Sequence, residues 1–209
     1  NYKMSFLKKL ILPSGKYNPL YINYLKWSFT SNVFASAQTA IVADNMLCAI
    51  NSDSEINRTI NYVGKDIIGQ LGGLFVLSKV GDKADKNPRN FLMYSNIVQQ
   101  LGFVSVSLTS MIPTYFLPIA GVSSVLTNLS FTGFGAVNAK CINKLSMGDD
   151  VAELYSKITI VNTLGSSLGL FLGLGINIMI PDHLERSLII PFLGLARVYT
   201  YNKAIEKIL

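Results

Sequence analysis

The sequence predicts an all-α protein, a polytopic helical membrane bundle of about six hydrophobic helices in a single domain. Three observations predict it. Only 14% of the 209 residues are charged while 50% are apolar, and soluble domains carry about 25% charge. Mean hydropathy is +0.38, so there is too little polar surface to cover a soluble particle. Long stretches lack any Asp, Glu, Lys or Arg, and the basic residues fall in the short connectors between them.

The elements follow in order. Residues 1–19 form a basic N-terminal segment with Lys3, Lys8, Lys9 and Lys16. Trp27 to Ala43 is charge-free, and Tyr21, Ile22, Tyr24 and Leu25 extend it to spanning length. Ile60 to Leu77 is apolar except at Lys65 and Asp66. Phe91 to Ala139 is uncharged between Arg89 and Lys140. A bilayer core takes about 20 helical residues, so this run accommodates two spans, a hairpin broken at Pro113 and Pro118. Ile158 to Ile180, closed by Pro181, is the clearest single span. Leu184 to Ile208 is interrupted by Pro191 and Arg197. Hydropathy alone does not decide whether the segments 20–50 and 184–208 fully cross.

With six crossings, one side receives Lys3, Lys8, Lys9, Lys16, Lys79, Lys83, Lys86, Arg89, Lys140, Lys144, Arg197, Lys203 and Lys207. The other receives Arg58 and Arg186, and Lys26, Lys65 and Lys157 lie within helical segments. The positive-inside rule accounts for this division and places both termini on the matrix, stromal or cytosolic side. The competing architecture is a soluble or peripheral bundle whose hydrophobic helices bury one another. Ser105, Ser107, Thr109, Ser110, Ser123, Ser124 and Asn128 suit it, but interhelical hydrogen bonds within a membrane suit them equally.

The net charge of +6 does not signal nucleic acid, because the cations flank apolar runs and are not interleaved with exposed aromatics. Cys48 and Cys141 lack zinc-ligand spacing and read as small buried hydrophobes. The chain begins at Asn1, which reads as a processed or truncated form. No metalloprotease, nucleophile-elbow, P-loop or dinucleotide motif occurs, so no catalytic residue, cofactor or metal is assigned. His183, beside Pro181 and Asp182, reads as a solvated loop residue. Asp149, Asp150 and Glu153 read as first-turn carboxylates favoured by a helix dipole.

Two features within the apolar segments stand out. Gly165, Gly169 and Gly173, like Gly69 and Gly73, recur every four residues and line one helix face, where a second backbone can approach closely. Spacing does not say whether that partner is internal or on another subunit. Lys65 and Asp66 are expensive inside a span and so suggest function, whereas near the surface Lys65 would snorkel. As helix neighbours they need not pair, and Gln70 shares the face of Asp66.

The stretch GKDIIGQLGG (64–73) resembles the RUS (root UV-B sensitive) family, in which a Lys-Asp pair precedes a glycine-rich element. Similar matches run through LPSGKYNPLYINYLKW, DKADKNPRNFLMYSN, MGDDVAELYSKITIVNTLG and RVYTYNKAIEKI in the family's order. Lys65, Asp66, Gly69, Leu71, Gly72, Asp149, Ala152, Ser156, Thr159, Asn162, Gly165, Tyr201 and Ala204 carry the match. The chain departs from the pattern at Phe134, where the family has an arginine, and near Asn96, Glu153 and Lys157. The resemblance implies a membrane-associated organellar protein acting in pairs or complexes, linked in plants to seedling development and vitamin B6 homeostasis, with no established enzymatic reaction.

The expected function is accordingly a non-catalytic integral membrane protein of an organelle, the mitochondrial inner membrane being favoured over the plastid. It would be a subunit or scaffold contacting lipid and other membrane subunits. The alternative is a transporter or carrier of an unknown small molecule through a polar site of Lys65, Asp66, Gln70, Asn162 and Lys157 facing one cavity.

Overall fold

The computed structural model describes residues 10–14, 17–50, 55–147 and 151–209. Six long helices make up nearly all of it: α1 (Leu20–Ile50), α2 (Glu55–Lys86), α3 (Pro88–Ser107), α4 (Phe116–Leu145), α5 (Val151–Met179) and α6 (His183–Ile205). Among the described residues there is no strand, only an isolated bridge between Tyr17 and Ser146. Three stretches are long and apolar enough to cross a membrane: Leu20–Ile50, Pro113–Leu145 and Val151–Met179. Lys3, Lys8, Lys9, Lys16, Asp149 and Asp150 lie outside the described residues.

Local chemistry sets the boundaries. Pro113 disfavours helical backbone at the preceding residue, and Ile112 is extended at φ −134°, ψ 66°. Two short 3-10 turns, Leu108–Ser110 and Pro113–Tyr115, therefore separate α3 from α4. Pro118, expected to share in that break, instead lies in the first turn of α4, where its missing N–H would have had no intrahelical acceptor. Asp182 caps α6 by accepting from the Leu184 N–H at 3.0 Å, and α6 continues through Pro191.

The contacts fix the direction of each helix. At one end Ser14 donates to Glu153 at the start of α5, and the Asn18 N–H donates to the Leu145 carbonyl at the end of α4. Lys144 reaches the Ile208 carbonyl beyond α6 at 3.0 Å. The described N-terminal residues, the end of α4, the start of α5 and the end of α6 thus share one end, and Arg89, Lys140 and Lys144 line one depression there.

The helices form two triads. In one, α1 packs along α5 and α6; in the other, α4 packs along α2 and α3. Each central helix has a parallel partner seated on glycines. A Cβ on Gly165 would meet the Phe29 carbonyl oxygen at 2.8 Å and one on Gly173 the Ala37 carbonyl oxygen at 2.6 Å. A Cβ on Gly69 would meet Ser124 at 2.5 Å, and one on Gly73 would meet Asn128 at 3.2 Å. No glycine has positive φ among the described residues, so these glycines serve close approach. Both glycine faces are filled from within the chain, which answers the question their spacing left open. Each central helix also has an antiparallel partner: Gln38 bonds the Ile190 carbonyl between α1 and α6, and Gln99 bonds Ser130 between α3 and α4. The two triads run in opposite directions, with α1 leaving the end to which α4 returns. They form an inverted pair in which α4 corresponds to α1, α2 to α5, and α3 to α6.

Apolar packing is divided into two clusters along the bundle. Tyr21, Leu25, Leu92, Cys141, Leu145, Leu154 and Ile205 belong to the one near the basic end. Ile41, Ile50, Phe103, Phe116, Ala120 and Ile190 belong to the other. Polar side chains occupy the level between them.

Candidate functional site

That polar level follows from helix phase. On α6 the buried residues include Arg186, Ser187, Ile190, Gly194, Arg197, Thr200, Tyr201 and Ala204, spaced by one, three or four. Leu184, Leu188, Phe192, Leu195 and Tyr199 on the opposite face are 45–72% exposed. α3 does the same, burying Ser95, Asn96 and Gln99 while exposing Met93, Tyr94, Ile97 and Leu101. A helix in water turns its apolar stripe inward; these turn their polar residues inward.

Arg197 is the centre of the arrangement. It is 6% exposed, and at 1.5 Å rise per residue it sits about 12 Å from the basic end of α6 and about 21 Å from the other. Its Nη1 donates to Gln99 Oε1 at 2.6 Å, and Ser130 Oγ donates to the same oxygen at 3.0 Å. The guanidinium lies 4.5 Å from the Phe134 ring centroid. Among the described residues no carboxylate pairs with it. It opens on a cavity of about 360 Å³ lined by residues of α1, α3, α4, α5 and α6, including Tyr24, Ser28, Ser31, Asn138, Asn162, Ser166 and Tyr201, with no Asp or Glu among the described lining residues. Tyr24 donates to Asn138 at 2.6 Å and Ser28 to Asn162 at 2.8 Å. A desolvated cation with aromatic walls and many neutral hydrogen-bonding groups suits an anion and disfavours a cation.

A second cavity of about 280 Å³ opens between α1, α2, α3 and α4, lined by Lys65, Asp66, Gln70, Ser123, Ser124, Thr127 and Asn128 among others. Under the inverted correspondence it is the counterpart of the first, and Thr39 lines both. Lys65 and Asp66, expected to be free to point apart, do pair, at 2.6 Å, and Lys65 also lies 4.2 Å from the Tyr62 ring centroid. Lys65 is 7% exposed and about 15 Å along α2 from its start, so it does not snorkel.

The five polar residues expected at one site are therefore divided. Lys65, Asp66 and Gln70 share one cavity and Asn162 lines the other. Lys157 stands near the basic end of α5 and is part of neither lining.

Sequence reasoning missed Arg197, which was sorted with the flanking cations, together with Gln99 and the glutamine pair beside it. Gln38 donates to Gln100 over Gly194, where a Cβ would fall on the Gln100 amide. The adjacent glutamines in the uncharged Phe91–Ala139 run were the available signal.

His183, read as a solvated loop residue, instead opens α6 and is partly buried. Its Nδ1 contacts Arg186, which also bonds Asp44. Cys48, read as buried, is only partly so, whereas Cys141 is fully buried. The donor atoms of Asp44, Cys48 and His183 lie within 4.8 Å of one another, but the Arg186 guanidinium already places a cation on two of the three, so the cluster is an ionic clasp between α1 and α6. Glu153 is in the first turn of α5, as expected.

A family model described as the vitamin B6 photo-protection and homoeostasis domain matches residues 2–209. The chain is similar to protein root UVB sensitive 4 of Arabidopsis thaliana, with 23% identity over 82% of this chain and 34% of that protein. Root UVB sensitive 6 of the same plant is 22% identical over 79% of this chain and 34% of its own length. Root UVB sensitive 2, chloroplastic, is 20% identical over 94% and 46% respectively. The chain spans roughly a third to a half of the length of these relatives. No solved structure gives a significant match.

Proposed function

The chain belongs to the vitamin B6 photo-protection and homoeostasis family of root UVB sensitive proteins, and from that premise we propose that it is a non-catalytic membrane carrier whose six helices all cross the bilayer and which holds a small anionic solute at Arg197. The observation that carries this reading is the cavity itself: a buried arginine with no carboxylate partner among the described residues, about 12 Å in from the nearer end of its helix, facing neutral polar groups. Ionisable residues at such depth mark solute paths by default. The inverted triads add support, because secondary transporters place substrate between oppositely oriented repeats and expose it by rocking one against the other. The inward polar faces of α3 and α6 support crossing by helices whose average hydropathy is modest.

The family description names vitamin B6, so pyridoxal 5′-phosphate, a planar anion, is the first solute to test. Purified protein in lipid nanodiscs is titrated with it, and reconstituted vesicles are assayed for its exchange. Saturable binding is expected, weakened about 10- to 100-fold by Arg197→Gln, the range for losing a charge-assisted hydrogen bond. Exchange that is the same in empty vesicles, or binding indifferent to Arg197, would overturn the carrier reading.

A second reading, a subunit or scaffold of a larger membrane assembly, has one observation in its favour. α2 packs mainly on α4 and leaves Ile60, Leu71, Leu74 and Phe75 55–69% exposed, a face for lipid or for a neighbouring subunit. A lone monomer in mild detergent, with no co-purifying membrane protein, would count against it. For location we propose an organelle membrane, the mitochondrial inner membrane ahead of the plastid, with both termini on the matrix or stromal side and no nucleic-acid partner. Fractionation with protease protection tests this.

A further inference from the structure

At the basic end, α3 starts beside the end of α4. Asn87 precedes Pro88 there without capping the helix through its side chain, and the first turn contains no acidic residue. The N–H groups of Arg89 and Asn90 are thus not capped by Asn87, but the carbonyl end of α2 stops at Lys86, one residue away, so side-chain cations and not a helix dipole set the charge of this corner. Arg89, Lys140 and Lys144 line a depression of about 530 Å³ at this point, with no Asp or Glu among the described residues of the lining. Glu206, after α6, is engaged by Lys203 at 2.8 Å and is also within electrostatic reach of Arg89, and Lys144 already donates to the Ile208 carbonyl. A second depression of about 340 Å³ adjoins the first through Asn87 and Asn90, and Lys86, Phe91 and Tyr94 line it. Phe91 is also where the uncharged run begins, and Tyr94, one turn further along, is 70% exposed.

From these features we propose that this corner is a binding site for an anionic phospholipid. Its phosphate sits among Arg89, Lys140 and Lys144 at the start of α3, and its acyl chains descend past Phe91 and Tyr94. Cations meet an aromatic edge where the charge-free segment begins, which is where a headgroup meets hydrocarbon. The inference rests on membrane residence and is independent of the Arg197 ligand.

The test uses the full chain in vesicles of phosphatidylcholine alone and of phosphatidylcholine with phosphatidic acid. Retained lipid is read by native mass spectrometry after brief detergent extraction. Wild type is expected to keep phosphatidic acid over phosphatidylcholine. The double variant R89Q/K144Q is expected to lose about tenfold to thirtyfold of that preference. K26Q/K157Q, which removes as many charges on α1 and α5, away from both linings, is expected to keep it. Equal loss in both doubles would reduce the effect to bulk electrostatics and overturn the site. Competition by glycerol 3-phosphate at a concentration equal to the lipid would make it a free-phosphate site and overturn the lipid assignment. Failure to float with vesicles would refute membrane residence itself, whereas failure of pyridoxal 5′-phosphate binding would leave this result untouched.

Discussion

Gly169→Ala on α5 is the sharpest probe of the packing, because the methyl group would meet backbone. Its Cβ would fall onto the Val33 carbonyl oxygen, 2.9 Å from the Val33 carbonyl carbon and 2.9 Å from Ser36 Cβ. The carbonyl is held in the ladder of α1 and cannot rotate away, so the two helices must separate or shear. Overpacking of this kind costs about 1–3 kcal/mol, which for a chain of this length lowers the melting midpoint by roughly 2–12 °C. Gly175→Ala, on the same helix, is the matched control: nothing lies within 4 Å of its added Cβ. Alanine there gains up to about 1 kcal/mol of helix propensity. Thermal melts of both variants in one detergent compare them directly. If Gly169→Ala melts with Gly175→Ala, α1 and α5 are not in backbone contact and the triad arrangement is refuted.

Gly194→Ala should push Gln100 off Gln38 and cost about 1–2 kcal/mol in melts, and pairing it with Gln100→Ala should add little further loss because the clashing amide is gone. Cys48 should react with a membrane-impermeant maleimide added on the side opposite the termini, while Cys141, fully buried, should react only after denaturation; labelling of Cys48 from the terminal side would contradict the direction of α1. Asp66→Asn should destabilise more than Lys65→Met, since the first leaves a buried ammonium without its counter-charge and the second removes that burden; the reverse order in melts would place Lys65 in water.

Much of the fold was legible because charge is so costly in hydrocarbon that its absence delimits helices. The runs around Trp27–Ala43 and Ile158–Ile180 became the greater parts of α1 and α5, and Pro113 broke the long run as expected. Hydropathy described α2 and α6 less well. α2 extends to Lys86 with several charged residues near its end, which a hydropathy window reads as connector although a helix can carry them into the interface. α6 keeps its arginines on the inward face, so its average is low while its outer face is as apolar as that of a span. Averages are blind to phase; a separate mean for each face would have recovered α6.

The site divided along the same line. Lys65 and Asp66 were visible because they interrupt an apolar segment, and Gln70 because spacing of four puts it on the same face. Arg197 was hidden because its meaning depends on Gln99, Ser130 and Phe134, which arrive from two other helices. Those contacts also change the sense of one departure from the family pattern. By the resemblance, Phe134 stands where the family has an arginine, which from the sequence alone removes a cation from the apolar region. In the fold, the Phe134 ring lies against the Arg197 guanidinium and both line the same cavity. A positive charge from α6 is therefore present at this place, with the aromatic ring compensating part of its desolvation. A position can lose its charge while the cavity keeps it, and the test is reciprocal exchange. Phe134→Arg combined with Arg197→Phe should retain anion binding that Arg197→Phe alone abolishes. If the double variant folds, with Cys141 still protected, and binds no better than the single one, charge at this location is not what the cavity selects.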